Sequence, residues 1–179
     1  MTRPAQDVRQ RLADDLKRRL DGSASGELAQ SRPIAFKVDL VRAIVQGTKT
    51  QTRRPSVGPH ARLYEPGQRL WVREKWGRLD GVFVHAAEGE LAGVRYFGGQ
   101  SMPRAAARLT LEVLACRVEP LHAISGRDAL AEGAAATLTP AEARAWFEST
   151  WREIYPSGES QWEANPPVVV MEFRLVDRV

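Results

Sequence analysis

The segment Gly47-Thr48-Lys49-Thr50-Gln51-Thr52-Arg53-Arg54 carries one ammonium, three hydroxyls, one amide and two guanidinium groups, with no aliphatic or aromatic side chain to bury. Donors of that density on one short stretch can surround an oxyanion or the edge of a nucleobase from several directions. The bland alternative is a solvated polar loop. A second segment, Arg69-Leu70-Trp71-Val72-Arg73-Glu74-Lys75-Trp76, has strand character. Alternation puts Leu70, Val72 and Glu74 on one face and Trp71, Arg73 and Lys75 on the other. If Leu70 and Val72 point inward, so does Glu74, and an inward carboxylate must be paired, with a neighbouring Lys or Arg as its partner. That pair could be structural or functional.

Composition removes several kinds of chemistry. The only cysteine, Cys116, permits no internal disulfide and no cysteine-rich zinc cluster, and it reads as a buried apolar filler on a strand. His60, His85 and His122 have no ligand spacing, so no metal or other cofactor is expected. The sequence contains no run of apolar residues long enough for a membrane span and no secretory leader, which points to the cytoplasm. Net charge is +4, but Arg42 to Arg78 holds nine bases against Glu65 and Glu74, whereas Leu79 to Val179 holds nine arginines against fourteen acids. Basicity focused on one stretch favours an anionic partner, most simply nucleic-acid phosphate.

The elements that must position these residues are legible from periodicity. A length of 179 residues fits one domain with an appendage. Residues 5–20 place Val8, Leu12, Leu16 and Leu20 on one stripe, and Asp21-Gly22-Ser23-Ala24-Ser25-Gly26 reads as a flexible linker. Residues 1–32 are thus an amphipathic helix and linker suited to a protein partner or self-association, and 33–179 form the main domain. Within it, Ile34 to Lys37 reads as a short strand, and Leu40, Val41, Ile44 and Val45 as a helix ending at Gly47. Thr48 to Pro55 then reads as a polar loop and Arg69 to Lys75 as a strand, with weaker strands at Val82 to Ala86 and Gly93 to Phe97. Long strands follow at Arg108 to Val118 and Val168 to Val176. Between them, Ser125 with Asp128 and Thr139-Pro140 with Glu142 mark two helix starts. The second helix carries Ala143, Trp146, Phe147, Thr150, Trp151 and Ile154 on one stripe, which puts Trp146 and Trp151 in the core. The expected class is α+β, built on a small mixed or closed β-barrel with flanking helices.

Several motifs in this order resemble the ASCH domain, a branch of the PUA-like superfamily, in its phage and bacterial form. They are Ile44-Val45-Gln46-Gly47-Thr48-Lys49-Thr50-Gln51-Thr52-Arg53-Arg54, Pro66-Gly67-Gln68-Arg69-Leu70-Trp71-Val72-Arg73-Glu74, Met102-Pro103-Arg104, Arg108-Leu109-Thr110-Leu111-Glu112-Val113, Ile124 to Gly133, and Trp162-Glu163-Ala164-Asn165-Pro166 leading into Val170-Met171-Glu172-Phe173. The resemblance spans Pro33 to Val176; Ala105 and Val169 depart from it where the phage-type pattern often has tryptophan. It implies a PUA-type β-barrel whose cleft is lined by a Lys-x-x-Thr segment, and a tie to RNA or modified nucleosides.

Small members of that family include amidohydrolases that remove the acetyl group from acetylcytidine; others are ribonucleases or plain RNA-binding modules. The resemblance places the amidohydrolase residues on Lys49, Thr52 and Glu132, and a cleft arginine on Arg54. The chemistry is coherent: a threonine hydroxyl becomes a nucleophile once a base takes its proton, and a lysine whose pKa is lowered by burial or by Arg53 and Arg54 can be that base. Glu132 could orient the ammonium and return a proton to the leaving amine. An equally coherent reading has Lys49 and the arginines bind phosphate without chemistry. Arg73, Arg104 and Arg108 would extend the basic cleft along a strand of RNA, with Glu74 at its wall. Trp71, Trp76 and Trp162 are candidates to stack on a base.

Overall fold

The two long strands of the C-terminal half pair with each other along nearly their whole length. They are β7 (Leu109–Pro120) and β8 (Pro167–Arg178), antiparallel from Leu109 opposite Arg178 to Pro120 opposite Pro167, with irregularities at Thr110/Leu111 and Val113/Ala115. The computed structural model describes residues 31–56 and 63–178; the expected N-terminal helix and linker lie outside the described residues. Strand β8 reads as a nearly unbroken apolar run because it is covered on both faces. Val168 and Val170 enter a cluster with the helical residues Ala129, Ala143, Phe147 and Trp151, while Met171 and Phe173 enter a second cluster with Ile34, Val41, Ile44, Leu70 and Val72.

Four more elements complete the main layer: β1 (Arg32–Ala35), α1 (Val38–Val45), β2 (Gln51–Pro55) and β3 (Arg69–Arg73). The sheet runs β1-β3-β7-β8-β2, with β1 parallel to β3 and every other pair antiparallel. A second, three-stranded sheet is inserted between β3 and β7: β4 (Trp76–Leu79), β5 (Val82–His85) and β6 (Tyr96–Phe97), in the order β5-β4-β6. Two helices, α2 (Gly126–Ala131) and α3 (Pro140–Ile154), join β7 to β8. Both start as their sequences require: the Ser125 and Thr139 hydroxyls accept from the backbone N–H of Asp128 and Glu142, whose carboxylates accept in return from the cap residues' N–H groups.

Two expectations need correction. The class is α+β, but the barrel is not closed: the edge strands β1 and β2 share no ladder. These edges are four and five residues long. Across the gap the Arg54 guanidinium Nη2 donates to the Ala35 carbonyl at 2.6 Å, so a side chain stands where a strand pairing would be. The second correction concerns Thr48 to Pro55, whose larger part is strand β2, paired with β8 from Gln51 opposite Glu172 to Pro55 opposite Val168. A segment whose only apolar side chain is Pro55 can be a buried strand only if other elements satisfy its polar groups, and for Arg53 they do.

Candidate active site in the open seam of the sheet

Register decides what each face of β2 sees. Arg53 lies opposite Val170, so Gln51 and Arg53 turn toward α2 and α3. Thr52 lies opposite Met171, so Thr52 and Arg54 turn toward the inner side, where Phe36 and Phe173 pack with ring centroids 6.2 Å apart. Lys49 precedes the strand in a turn held from three directions. Its N–H and that of Thr48 donate to the Ala43 carbonyl, the Thr50 N–H to Ala131, and the Phe173 N–H to the Thr50 carbonyl.

Lys49 is 2 % exposed and its ammonium has three acceptors. Nζ donates to the Gln51 carbonyl at 2.7 Å, the Glu132 carbonyl at 2.8 Å and Glu132 Oε2 at 3.1 Å. Glu132 can present a carbonyl and a carboxylate together because α2 stops there: Glu132 is its C-terminal cap, and Gly133 follows at φ +104°, a conformation that favours glycine. Burial pulls the Lys49 pKa below its ordinary 10.5; contact with Glu132 opposes this, and Arg54 and Arg53 add to it. Glu132 Oε1 accepts from Arg53 Nη1 at 3.0 Å, and the same guanidinium reaches Gln51 Oε1, Glu119 Oε1 at 2.7 Å and Asp128 Oδ2 at 3.4 Å. Arg53 Nε is buried with no partner. Arg117 continues the network outward to Glu119 and Glu172. Asp128 is held below the ordinary carboxylate pKa; burial pushes it up, but the Ser125 hydroxyl and N–H and the Arg53 charge outweigh that.

These residues form the polar floor of a cleft of about 640 Å³ that occupies the open seam. One side comes from residues 35–40 at the end of β1 and start of α1, the floor from Lys49, Thr52, Arg53, Arg54 and Glu132. The other walls come from Tyr96, Phe97, Gly98, Gly99 and Gln100 after β6 and from Trp146, Phe147, Thr150, Trp151, Ile154 and Tyr155 of α3 and its end. Seven aromatic rings therefore surround a floor of donors and one carboxylate. The Thr52 hydroxyl has no hydrogen-bond partner among the described residues.

The structure brings Lys49, Thr52, Arg53, Arg54 and Glu132 into one site and leaves out five other expected residues. Glu74 is fully buried, but its carboxylate is taken by Arg108, with Nε on Oε1 at 2.9 Å and Nη2 on Oε2 at 3.1 Å, outside the cleft. Arg108 also holds Glu88 at 2.8 Å, so this pair is a structural clamp from β3 to β7 and its neighbouring turn. Trp71 is buried beneath Arg73 and Arg104, whose guanidinium carbons lie 4.9 and 5.5 Å from its ring centre. None of these five lines the cleft. Trp162 packs into the helical core against Phe147, and Trp76 against Phe83 and Phe97; neither lines the cleft. Cys116 is half-buried, and burial pushes its thiol pKa up.

The cleft aromatics Tyr96, Phe97, Trp146 and Tyr155 were missed. Trp146 sits on the helical stripe that periodicity assigns to the core, and the only other signal was its place beside Phe147. Tyr96 and Phe97 come from a two-residue strand in an insertion, where no pattern could announce them. Among the described residues no group of three or more His, Cys, Asp or Glu could hold a metal ion, and no helix is long and apolar enough to cross a membrane.

The fold and cleft together define an α+β protein with a ligand-sized site in an unclosed β-layer. No family model and no curated protein matches the sequence. A solved structure matches in fold. The crystal structure of protein EF3133 from Enterococcus faecalis V583, a DUF984 protein, is 16% identical over 95% of both chains with a TM-score of 0.52. That of an ASCH domain from Lactobacillus crispatus JV V101 is 14% identical over 99% of both chains with a TM-score of 0.48. The chain has the fold of the Enterococcus protein.

Proposed function

We propose that this protein binds a nucleobase, as a modified nucleoside or as a residue of RNA, in the seam cleft. The observation that carries this reading is the pairing of aromatic walls with a hydrogen-bonding floor. A volume of about 640 Å³ is in the range of small-molecule sites. Flat walls suit the π-face of a base. The Thr52 hydroxyl, donor and acceptor at once, suits its edge. The basic stretch from Arg42 to Arg78 includes Lys49, Thr52, Arg53 and Arg54 of the floor and supports an anionic polymer as the source of the base. Titrating cytidine, acetylcytidine and a short single-stranded RNA by calorimetry tests the reading. Saturable binding that weakens in Thr52→Val supports it, and no heat with any of the three at millimolar concentration refutes it.

A second reading, hydrolysis of an acylated base amine, is favoured by one specific feature: a lysine with lowered pKa in contact with a carboxylate, in the same cleft as a threonine hydroxyl that has no partner among the described residues. All three ammonium N–H groups are engaged, so Lys49 must first pass a proton to Glu132 before it can accept one from Thr52. The Thr52 oxygen would then attack the acyl carbonyl, the protonated Glu132–Lys49 pair would give the leaving amine its proton as the C–N bond breaks, and a water deprotonated by the same pair would cleave the acyl-Thr52 ester into the carboxylic acid and the free hydroxyl. Incubation with acetylcytidine and chromatography of released cytidine decides it: release abolished by Thr52→Val and Lys49→Met supports hydrolysis, and no release by the wild type limits the site to binding.

A further inference from the structure

Among the described residues, one cation in the cleft lacks a counter-charge. Lys49 and Arg53 share Glu132, and Arg53 also has Glu119 and Asp128. At the rim, Lys37 holds Glu153 at 2.7 Å and Lys75 holds Glu90 at 2.5 Å. Arg54 has no carboxylate within 4.0 Å among the described residues. Its one hydrogen bond among the described residues is the 2.6 Å bond to the Ala35 carbonyl, with the Phe36 ring centre 5.4 Å from its guanidinium carbon. A guanidinium has five N–H donors, and here one is used. The side chain is half-buried, so water compensates its charge only in part, and a ligand anion entering the cleft would replace that water with paired acceptor oxygens matched to the guanidinium's fork of N–H donors.

The position of Arg54 relative to the rest of the floor limits what the anion belongs to. Thr52 and Arg54 are two residues apart on one face of a strand, about 7 Å along the chain. That is of the order of the distance from a base to the phosphate on its own sugar. We infer that the cleft takes its ligand as a phosphorylated nucleoside, the base over Thr52 and the phosphate on Arg54 at the β1–β2 seam. This rests on the nucleobase reading above and adds the ligand's charge and direction. The phosphate can be the monoester of a free nucleotide or the diester of an RNA strand, and the same chemistry recognises both.

The test uses the full chain and calorimetric titration with cytidine, adenosine, guanosine, uridine and acetylcytidine, each beside its 5′-monophosphate, with the cytidine dinucleotide as the diester probe. For whichever base binds, the monophosphate is expected to bind at least tenfold tighter than the nucleoside, with the ratio falling to within twofold in Arg54→Gln. Orthophosphate should displace the monophosphate from wild-type protein and leave bound nucleoside in place, a measurement that stands even where the variant fails to fold. A dinucleotide bound as tightly as the monophosphate supports the inference with a strand as the source; a clear preference for the monoester supports it with a free nucleotide. Equal affinity for nucleoside and monophosphate, or a ratio that survives Arg54→Gln, overturns the phosphate and leaves the nucleobase reading standing. Binding of neither kind of ligand overturns both.

Discussion

Replacing Lys49 by methionine tests whether the buried floor is a coupled ionic unit. The ammonium holds two main-chain carbonyls and one carboxylate oxygen in a place with 2 % exposure. In Lys49→Met the carbonyls of Gln51 and Glu132 lose their ammonium donor, at about 1–3 kcal/mol for each group left unsatisfied. Glu132 keeps one partner, Arg53 Nη1 at 3.0 Å, which limits the loss. Relief of the ammonium's own desolvation offsets part of this, so the net destabilisation is expected at about 3 kcal/mol, the lower end for breaking a buried pair. Glu132→Gln should cost a similar amount, since it leaves Lys49 charged against dipoles only. The double variant should then be at least about 1 kcal/mol more stable than the sum of the two losses implies, because the second removal takes away a charge the first had stranded. Urea unfolding of the four proteins at neutral pH measures the cycle.

The pH dependence of the same comparison has a fixed sign. Burial holds the folded-state Lys49 pKa below 10.5, so between that lowered value and 10.5 the unfolded chain binds more protons than the native one. Stability contributed by Lys49 must therefore rise with pH across that window. The wild-type advantage over Lys49→Met should grow from neutral to alkaline pH. Additive losses together with a flat difference between the two pH-stability curves would refute the description of Lys49 and Glu132 as a desolvated, coupled pair.

Three further outcomes are expected. Arg108→Met strands the fully buried Glu74 carboxylate and should cost about 3–5 kcal/mol in denaturant unfolding, most of it recovered in Arg108→Met/Glu74→Leu; no recovery in the double variant would mean the arginine matters for something other than that carboxylate. Gly133→Ala should cost about 1–3 kcal/mol by thermal unfolding, because φ +104° is strained for an L side chain and the new Cβ would sit 3.3 Å from Ala43 Cβ and Lys49 Cβ; a neutral result would show that the turn presenting Glu132 relaxes freely. Trp146→Ala should weaken nucleoside binding by about 1–3 kcal/mol if the α3 wall stacks on the base, while Trp71→Ala, outside the cleft, serves as the comparison in the same titration.

What the chain carried openly were features set by neighbours in sequence. Capping boxes at Ser125/Asp128 and Thr139/Glu142 announce α2 and α3, since the reciprocal bonds they make are local. The alternation of β7 and the apolar run of β8 announce the central pair of strands, and alternation continued one residue past β3 places Glu74 inward. Clustering of donors from Lys49 to Arg54 singled out the floor of the cleft. Tertiary structure decided the rest. Segment 51–55 became a strand because Glu132, Glu119 and Asp128, 66 or more residues away from Arg53, satisfy its buried polar groups. Glu74 was drawn away from Lys49 by Arg108, 34 residues on, because a bidentate guanidinium compensates a buried carboxylate better than any partner on its own strand. The cleft itself exists because β1 and β2, both short and polar-edged, stop short of pairing and leave a gap that rings from the inserted sheet and from α3 enclose. Which residues face one another across that gap depends on register and closure, and neither is a property of any local stretch of chain.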